Sequence, residues 1–194
     1  MTRFQIPAAD RSARRGFALV ELLTVMVIIG ILVAIAYPSI ASLRWSAESA
    51  MLQVGTTLQA AQREAVARQY DVLVIFDATN SRFRLVYDAN GNGVADGGER
   101  VRRVSLEKQI VFGRVGAPAR GFGAGPLTLS DGTQTLVFHR NGSASASGGL
   151  YLTSTRAAAG EAKRVRDARA IEIVRATGRI EWFRYNDPSW QRGF

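Results

Sequence analysis

The sequence contains no cysteine and a single histidine, His139, among 194 residues. Disulfide bonds, thiol catalysis and cysteine-ligated metal sites are therefore excluded, and an exported domain would have to fold without covalent cross-links. His139 ends a predicted strand beside Arg140, where an ordinary surface or half-buried imidazole is expected rather than a catalytic base. The sequence also has no nucleophile-elbow motif and no glycine-rich phosphate-binding loop. We therefore do not expect an enzyme.

Acidic residues are fewer than basic ones, 16 against 25, which gives a net charge of +9. The first 16 residues carry +3 of this charge and the remainder carries +6. Basic side chains cluster in two stretches, residues 100–120 and 163–169. Clusters of this kind usually form a solvated charged surface, and a patch for DNA or an acidic partner is the alternative.

One long apolar run occurs near the start of the chain. Between Phe17 and Tyr37 the only strongly polar side chains are Glu21 and Thr24. As a helix this run is about 32 Å long, enough to cross the hydrocarbon core of a bilayer. A carboxylate there costs about 2.5 to 3.5 kcal/mol on insertion scales, so Glu21 requires a partner. The arginines before the run predict a cytoplasmic N-terminus and translocation of the rest of the chain.

The residues at the start of this run, Gly16-Phe17-Ala18-Leu19-Val20-Glu21, resemble the processing site of type IV prepilins and type II secretion pseudopilins. The resemblance implies that residues 1–16 are a leader, that a prepilin peptidase cuts between Gly16 and Phe17, and that Phe17 is then N-methylated. It also implies that Glu21 contacts the terminal amine of a neighbouring subunit. Such a pair offsets the desolvation cost of both charges and favours subunits packed in register.

The same resemblance implies a single-pass protein of the bacterial inner membrane. Its globular domain would be periplasmic, and the protein could be assembled into a pilus or pseudopilus. The implied partners are other pilins or pseudopilins, the peptidase and the lipid of the inner membrane.

A secretory signal peptide is the alternative interpretation of the N-terminus. The basic residues before Gly16 would form its positive region, and Ala34-Ile35-Ala36 offers a cleavage site between small residues. Cleavage there would release a soluble calcium-binding protein. Against this interpretation, Glu21 interrupts the apolar core, and an amphipathic pattern continues beyond Pro38.

A long helix is predicted from Phe17 to about Gln69. Residues 17–37 form its transmembrane half, and residues 38–69 carry an apolar stripe at steps of three or four residues. Pro38 should introduce a kink because it removes a backbone donor, and Gly30 and Gly55 are weaker points of flexibility.

Residues 70–194 are predicted to be an exported, β-rich globular domain. In this domain the apolar residues recur at every second position or form short runs, which is typical of an antiparallel meander. The predicted strands are Asp71–Asp77, Arg82–Tyr87, Arg100–Leu106, Ile110–Phe112, Thr135–His139, Gly149–Thr153, Ala170–Arg175 and Arg179–Arg184. Gly113–Pro126 is predicted to be a loop, and Thr155–Ala168 a charged excursion between strands.

Thr135–Ser145 (TLVFHRNGSAS) and Ala170–Ile180 (AIEIVRATGRI) are similar to the C-terminal half of the GspH/FimT group of minor pilins and pseudopilins. The group implies an α+β fold, with a long N-terminal helix packed on a small antiparallel sheet or sandwich. It implies a role at the filament tip or in priming assembly.

Some FimT-type members bind DNA through a Gly-Arg-x-Arg motif. The corresponding residues here are Gly178-Arg179-Ile180-Glu181, in which an acid replaces the second arginine. Arg179 and Arg184 are the candidate DNA-binding residues, and the aromatic residues between them could stack bases or complete the core of the sheet.

Asp88–Glu99, read DANGNGVADGGE, matches the twelve-residue calcium loop D-x-[DN]-x-[DN]-G-x5-E at every position. Predicted strands flank it, so it would be a metal-closed hairpin. A flexible hairpin turn rich in asparagine and glycine is the alternative. The candidate ligands are the side chains of Asp88, Asn90, Asn92, Asp96 and Glu99 and the carbonyl of Val94.

The sequence thus favours a minor pilin or pseudopilin with a structural role in a type II secretion pseudopilus or a type IV pilus. DNA capture at a pilus tip and a released calcium-binding protein are the competing hypotheses. A secretion pseudopilus and a pilus are not distinguished by these residues.

Overall fold

The computed structural model describes residues 13–193, except for the side chains of residues 13–18, 35–45 and 162–163. It divides the chain into two compact units, Met1–Ser42 and Leu43–Phe194. Helix α1, Ala13–Arg68, begins in the first unit and ends in the second, which confirms the predicted long helix. The kink predicted at Pro38 lies among the residues without described side chains and stays a prediction.

Within the second unit, α1 buries one stripe of small and apolar side chains. Spacings of three and four residues keep this stripe on one face of the helix. The buried side chains are Ala47, Ala50, Met51, Val54, Leu58, Ala61 and Ala65. The predicted amphipathic half of the helix is therefore confirmed over these residues.

Two antiparallel sheets follow α1. The four-stranded sheet has the order β3-β2-β1-β6. Its strands are β1 Asp71–Asp77, β2 Arg82–Asp88, β3 Arg100–Ser105 and β6 Thr135–Phe138. The six-stranded sheet has the order β10-β9-β8-β7-β4, and β5 pairs with β7 beside β4. Its strands are β4 Ile110–Phe112, β5 Leu127–Leu129, β7 Gly148–Ser154, β8 Arg169–Val174, β9 Arg179–Asn186 and β10 Ser189–Gly193.

The inner faces of both sheets and the buried stripe of α1 enclose one hydrophobic core. Alternation along the strands selects the inward residues: Val74 of β1 lies opposite Leu85 of β2, and both are buried. The rings of Phe76 and Phe112 join the two sheets edge to face, with centroids 6.2 Å apart. The predicted α+β class is confirmed.

Two contacts fix how α1 lies on the six-stranded sheet. Gln62 donates from Nε2 to the carbonyls of Gly142 and Thr177, both at 2.7 Å. One heptad earlier, Gly55 lies under the indole of Trp182, and an added Cβ would come within 2.7 Å of Cε2. Gly55 therefore permits close packing of the helix against Trp182, and the expectation that Gly55 is a point of flexibility stays a prediction.

The predicted excursion after β7 is structured. It contains α2, Thr155–Ala158, and a 3-10 helix, Ala162–Asp167. The buried hydroxyl of Ser154 accepts from the backbone N–H of Ala157 at 3.2 Å and donates to the carboxylate of Asp167 at 2.7 Å. This N-cap starts α2 and ties the 3-10 helix to the end of β7.

Candidate functional site

The processing segment lies at the start of α1. Gly16 and Phe17 are described by their backbone only, so cleavage between them stays a prediction. Large apolar side chains are exposed along the helix from Leu19 to Val33, and Glu21 is exposed among them. Thr24 satisfies its hydroxyl within the helix by donating to the carbonyl of Val20 at 2.8 Å. The carboxylate of Glu21 is thus presented on an apolar surface.

Within the part of the chain that the structure describes, no helix has an apolar stretch long enough to cross a membrane.

The loop between β2 and β3 brings the residues of the calcium pattern together. The amides of Asn90 and Asn92 donate to one carboxylate oxygen of Asp96, at 2.9 and 2.5 Å. The hydrogen bond from Asn90, followed by that from Asn92, lowers the pKa of Asp96 below its ordinary value. Asp96 in turn donates its backbone N–H to Glu99 at 3.0 Å. Among the described residues, no three His, Cys, Asp or Glu side chains form a group that could hold a metal.

The two candidate DNA-binding arginines lie on β9 in different surroundings. Arg179 forms a salt bridge with Glu181, which also binds Arg192 at 2.9 Å. The residue that replaces the second arginine of the DNA-binding motif therefore also counters the charge of the first. Arg184 is exposed and lies directly opposite Arg169 of β8.

The basic clusters are partly structural. Arg100 binds Glu64 of α1 at 3.1 Å, and its guanidinium lies 4.6 Å from the ring centroid of Tyr87. Arg169 forms a largely buried ion pair with Glu48 of α1 at 2.9 Å. The ion pair of Arg169 is part of the packed fold, whereas that of Arg100 is a surface contact. In both cases a neighbouring carboxylate reduces the charge that the arginine offers to a ligand.

We expect weak DNA binding from the wild-type chain and stronger binding from Glu181→Gln. Removing the carboxylate frees the charges of Arg179 and Arg192, and each additional phosphate contact should steepen the salt dependence by about one unit in a log-log plot. Fluorescence anisotropy with a duplex oligonucleotide at several salt concentrations measures both quantities. Glu107→Gln, at an exposed position, is the matched control. Tight wild-type binding at physiological salt that Arg179→Ala abolishes would contradict this expectation.

His139 pairs with Asp71. Its Nδ1 lies 2.8 Å from a carboxylate oxygen of Asp71, whose other oxygen accepts from the backbone N–H of Arg140 at 3.0 Å. Burial raises the pKa of Asp71, but these hydrogen bonds outweigh it and hold the pKa below its ordinary value. The pair joins the start of β1 to the residue that follows β6.

Sequence reasoning missed how the predicted loop Gly113–Pro126 covers the face of the six-stranded sheet turned away from α1. The ring of Phe122 lies 4.8 Å from that of Tyr151, whose hydroxyl donates to the carbonyl of Gly123 at 2.8 Å. The guanidinium of Arg120 lies 3.4 Å from the ring centroid of Phe183. The aromatic residues of this loop and of β9 were the sequence signal from which this packing could have been expected. They form a second packed layer on the outer face of the six-stranded sheet.

Comparison with known proteins gives two family matches. Residues 11–37 match the prokaryotic N-terminal methylation motif, and residues 50–170 match the type II transport protein GspH family. The pilin-like protein PilA1 of Thermus thermophilus is 29% identical over 151 residues, which cover 68% of this chain and 97% of that protein. The solved structure of the minor pseudopilin EpsH from the type 2 secretion system of Vibrio cholerae aligns with a TM-score of 0.47 and 14% identity. That alignment covers 71% of this chain and 95% of the EpsH chain.

Proposed function

Since the chain belongs to the type II transport protein GspH family and is a structural subunit of the pilin and pseudopilin kind, we propose that it primes assembly or occupies the tip of its filament. The filament is a type II secretion pseudopilus or a type IV pilus. Other pilins are its neighbours, and it performs no catalysis. In this proposal residues 17–37 anchor the chain in the inner membrane, and the domain after α1 is periplasmic.

One observation carries the proposal: α1 joins the methylation motif directly to the GspH domain. The exposed apolar segment from Leu19 to Val33 and the buried stripe from Ala47 to Ala65 lie on the same helix. An exposed apolar segment of this size is costly in water and suits lipid or the helices of neighbouring subunits. The domain's own core already covers the buried stripe, so the N-terminal segment remains for assembly.

Processing tests the proposal. Mass spectrometry of the membrane-extracted protein should show a chain that starts at a methylated Phe17. Replacing Gly16 with valine should leave residues 1–16 attached, because a branched side chain would occupy the cleavage position. Replacing Ala36 with valine is the control, since it alters only the signal-peptide site and should leave the start at Phe17. A wild-type chain that starts at Tyr37 would contradict the proposal.

A further inference from the structure

The loop Asp88–Glu99 is built around a buried carboxylate. The Asp88 residue is 1% exposed, and its two oxygens accept the backbone N–H groups of Gly91 at 2.6 Å, Asn92 at 3.1 Å and Gly93 at 2.7 Å. Gly93 has a φ of 73°, which favours glycine and fits its place at the sharp turn of the twelve-residue pattern. These bonds wrap the first half of the loop around Asp88.

The other side-chain donors of the pattern converge beside it. The amides of Asn90 and Asn92 meet at one oxygen of Asp96. The amide oxygens of the same asparagines accept backbone N–H groups of Asn92 at 3.0 Å and of Val94 at 2.8 Å. Positions 3, 5 and 9 of the pattern are thus in contact although they lie up to six residues apart.

Glu99, the last residue of the pattern, supplies an independent observation. Its Oε2 accepts the backbone N–H of Asp96, whereas its Oε1 is buried and has no hydrogen-bond partner among the described residues. An oxygen of a carboxylate removed from water without a donor or cation is unfavourable. A cation at this point would satisfy it.

We propose that the loop binds calcium. Asp88, Asn90, Asn92 and Asp96 supply side-chain oxygens, Val94 supplies its carbonyl, and Glu99 binds through both oxygens. Calcium takes six to eight oxygen ligands and tolerates irregular geometry, whereas magnesium requires a near-ideal octahedron and releases water reluctantly. As the structure stands, Asp88, Asp96 and Glu99 do not form a metal-holding group, and a divalent cation would draw these three carboxylates together against their mutual repulsion. In the structure, the NH2 groups of Asn90 and Asn92 donate to Asp96. Their partial positive charge lies beside the Asp96 carboxylate, where a bound cation would place its own charge.

Calcium at this loop would also act on α1. Glu99 is followed by Arg100, which binds Glu64 of α1 at 3.1 Å and stacks on Tyr87. β3 is an edge strand of the four-stranded sheet, so its start is held by β2 and by this contact. Fixing Glu99 therefore fixes the strand end that contacts the helix, in a domain that has no disulfide.

Isothermal titration and thermal unfolding of the full mature chain in detergent, with calcium or with chelator, test the proposal. We expect saturable binding and a melting temperature several degrees higher with millimolar calcium. Magnesium should raise the melting temperature less. Glu99→Gln and Asp96→Asn should weaken calcium binding at least tenfold, while Glu107→Gln, an exposed acid outside the loop, should bind as the wild type does. A folded wild-type chain with no heat of binding and no shift would overturn the proposal, and so would unchanged binding by Glu99→Gln.

Asn92→Asp separates a cation site from a loop closed only by its own hydrogen bonds. The change removes an amide donor and adds a carboxylate, so the metal-free melting temperature should fall and calcium should restore it, with tighter binding than in the wild type. If the loop is closed by the asparagine–aspartate bonds alone, the melting temperature will fall equally with calcium and with chelator. That result would overturn the proposal.

Discussion

Replacing Glu21 with alanine is expected to leave membrane insertion intact or improved and to remove most of the protein from filaments. The carboxylate costs about 2.5 to 3.5 kcal/mol at the centre of a membrane helix and less near its edge. Alanine removes this cost, so insertion cannot suffer. Assembly should suffer because, in our proposal, Glu21 is paired with the terminal amine of a neighbouring subunit, and that amine would be left in lipid without a counter-charge.

The measurement is the fraction of the chain that co-purifies with sheared filaments, compared with the fraction in the membrane. Glu21→Gln is the informative partner variant because it keeps the size and polarity of the side chain and removes only the charge. Thr24→Val is the matched control, since the Thr24 hydroxyl is already satisfied by the carbonyl of Val20. If Glu21→Ala enters filaments as the wild type does, the amine–carboxylate pairing is wrong. Loss in Glu21→Ala but not in Glu21→Gln would show a need for polarity alone.

Most of the fold could be predicted because its periodic signals are strong. All eight predicted strands form, since each is an alternating or fully apolar run bounded by turn residues. β5, Leu127–Leu129, was missed because its three residues follow Pro126 and have a polar threonine at their centre, whereas the equally short β4 is a continuous apolar run. β10, Ser189–Gly193, was missed because its sequence, SWQRG, is mostly polar and follows Pro188. Both strands exist through pairing with β7 and β9, which tertiary structure provides.

The site residues were predictable to different degrees. The loop Asp88–Glu99 is local, so its twelve positions could be read directly from the sequence. The pairing of Arg179 with Glu181 was also within reach, because residues two apart on a strand share a face. By contrast, Glu48 and Arg169 lie 121 residues apart in sequence. Only the packing of α1 on the six-stranded sheet brings them together.

The ion pair of Glu48 and Arg169 should contribute strongly to stability. We expect Glu48→Ala to lower the free energy of unfolding by about 3 kcal/mol. The Arg169 side chain is 8% exposed, and its Nε donates to Glu48 at 2.9 Å. Its Nη1 donates to the carbonyls of Arg166 at 2.9 Å and Ala168 at 3.0 Å. Without Glu48 the guanidinium keeps its hydrogen bonds to these two carbonyls, but it loses its counter-charge while it is still shielded from water. We therefore expect a loss of unfolding free energy at the low end of the range for breaking a buried ion pair.

Arg169→Met should lower the free energy of unfolding by less than Glu48→Ala does. The Glu48 side chain that is left without its partner is 25% exposed and can be hydrated. The double variant should cost less than the sum of the two single variants, by about 0.5 to 3 kcal/mol, as expected for groups in direct contact. Denaturant unfolding of the four proteins gives this coupling energy. Arg179→Met with Glu181→Gln is the control cycle, because the exposure of Arg179 should keep its coupling below about 1 kcal/mol. A coupling at Glu48 and Arg169 no larger than in the control cycle would mean that apolar packing alone, and not this ion pair, holds α1 to β8.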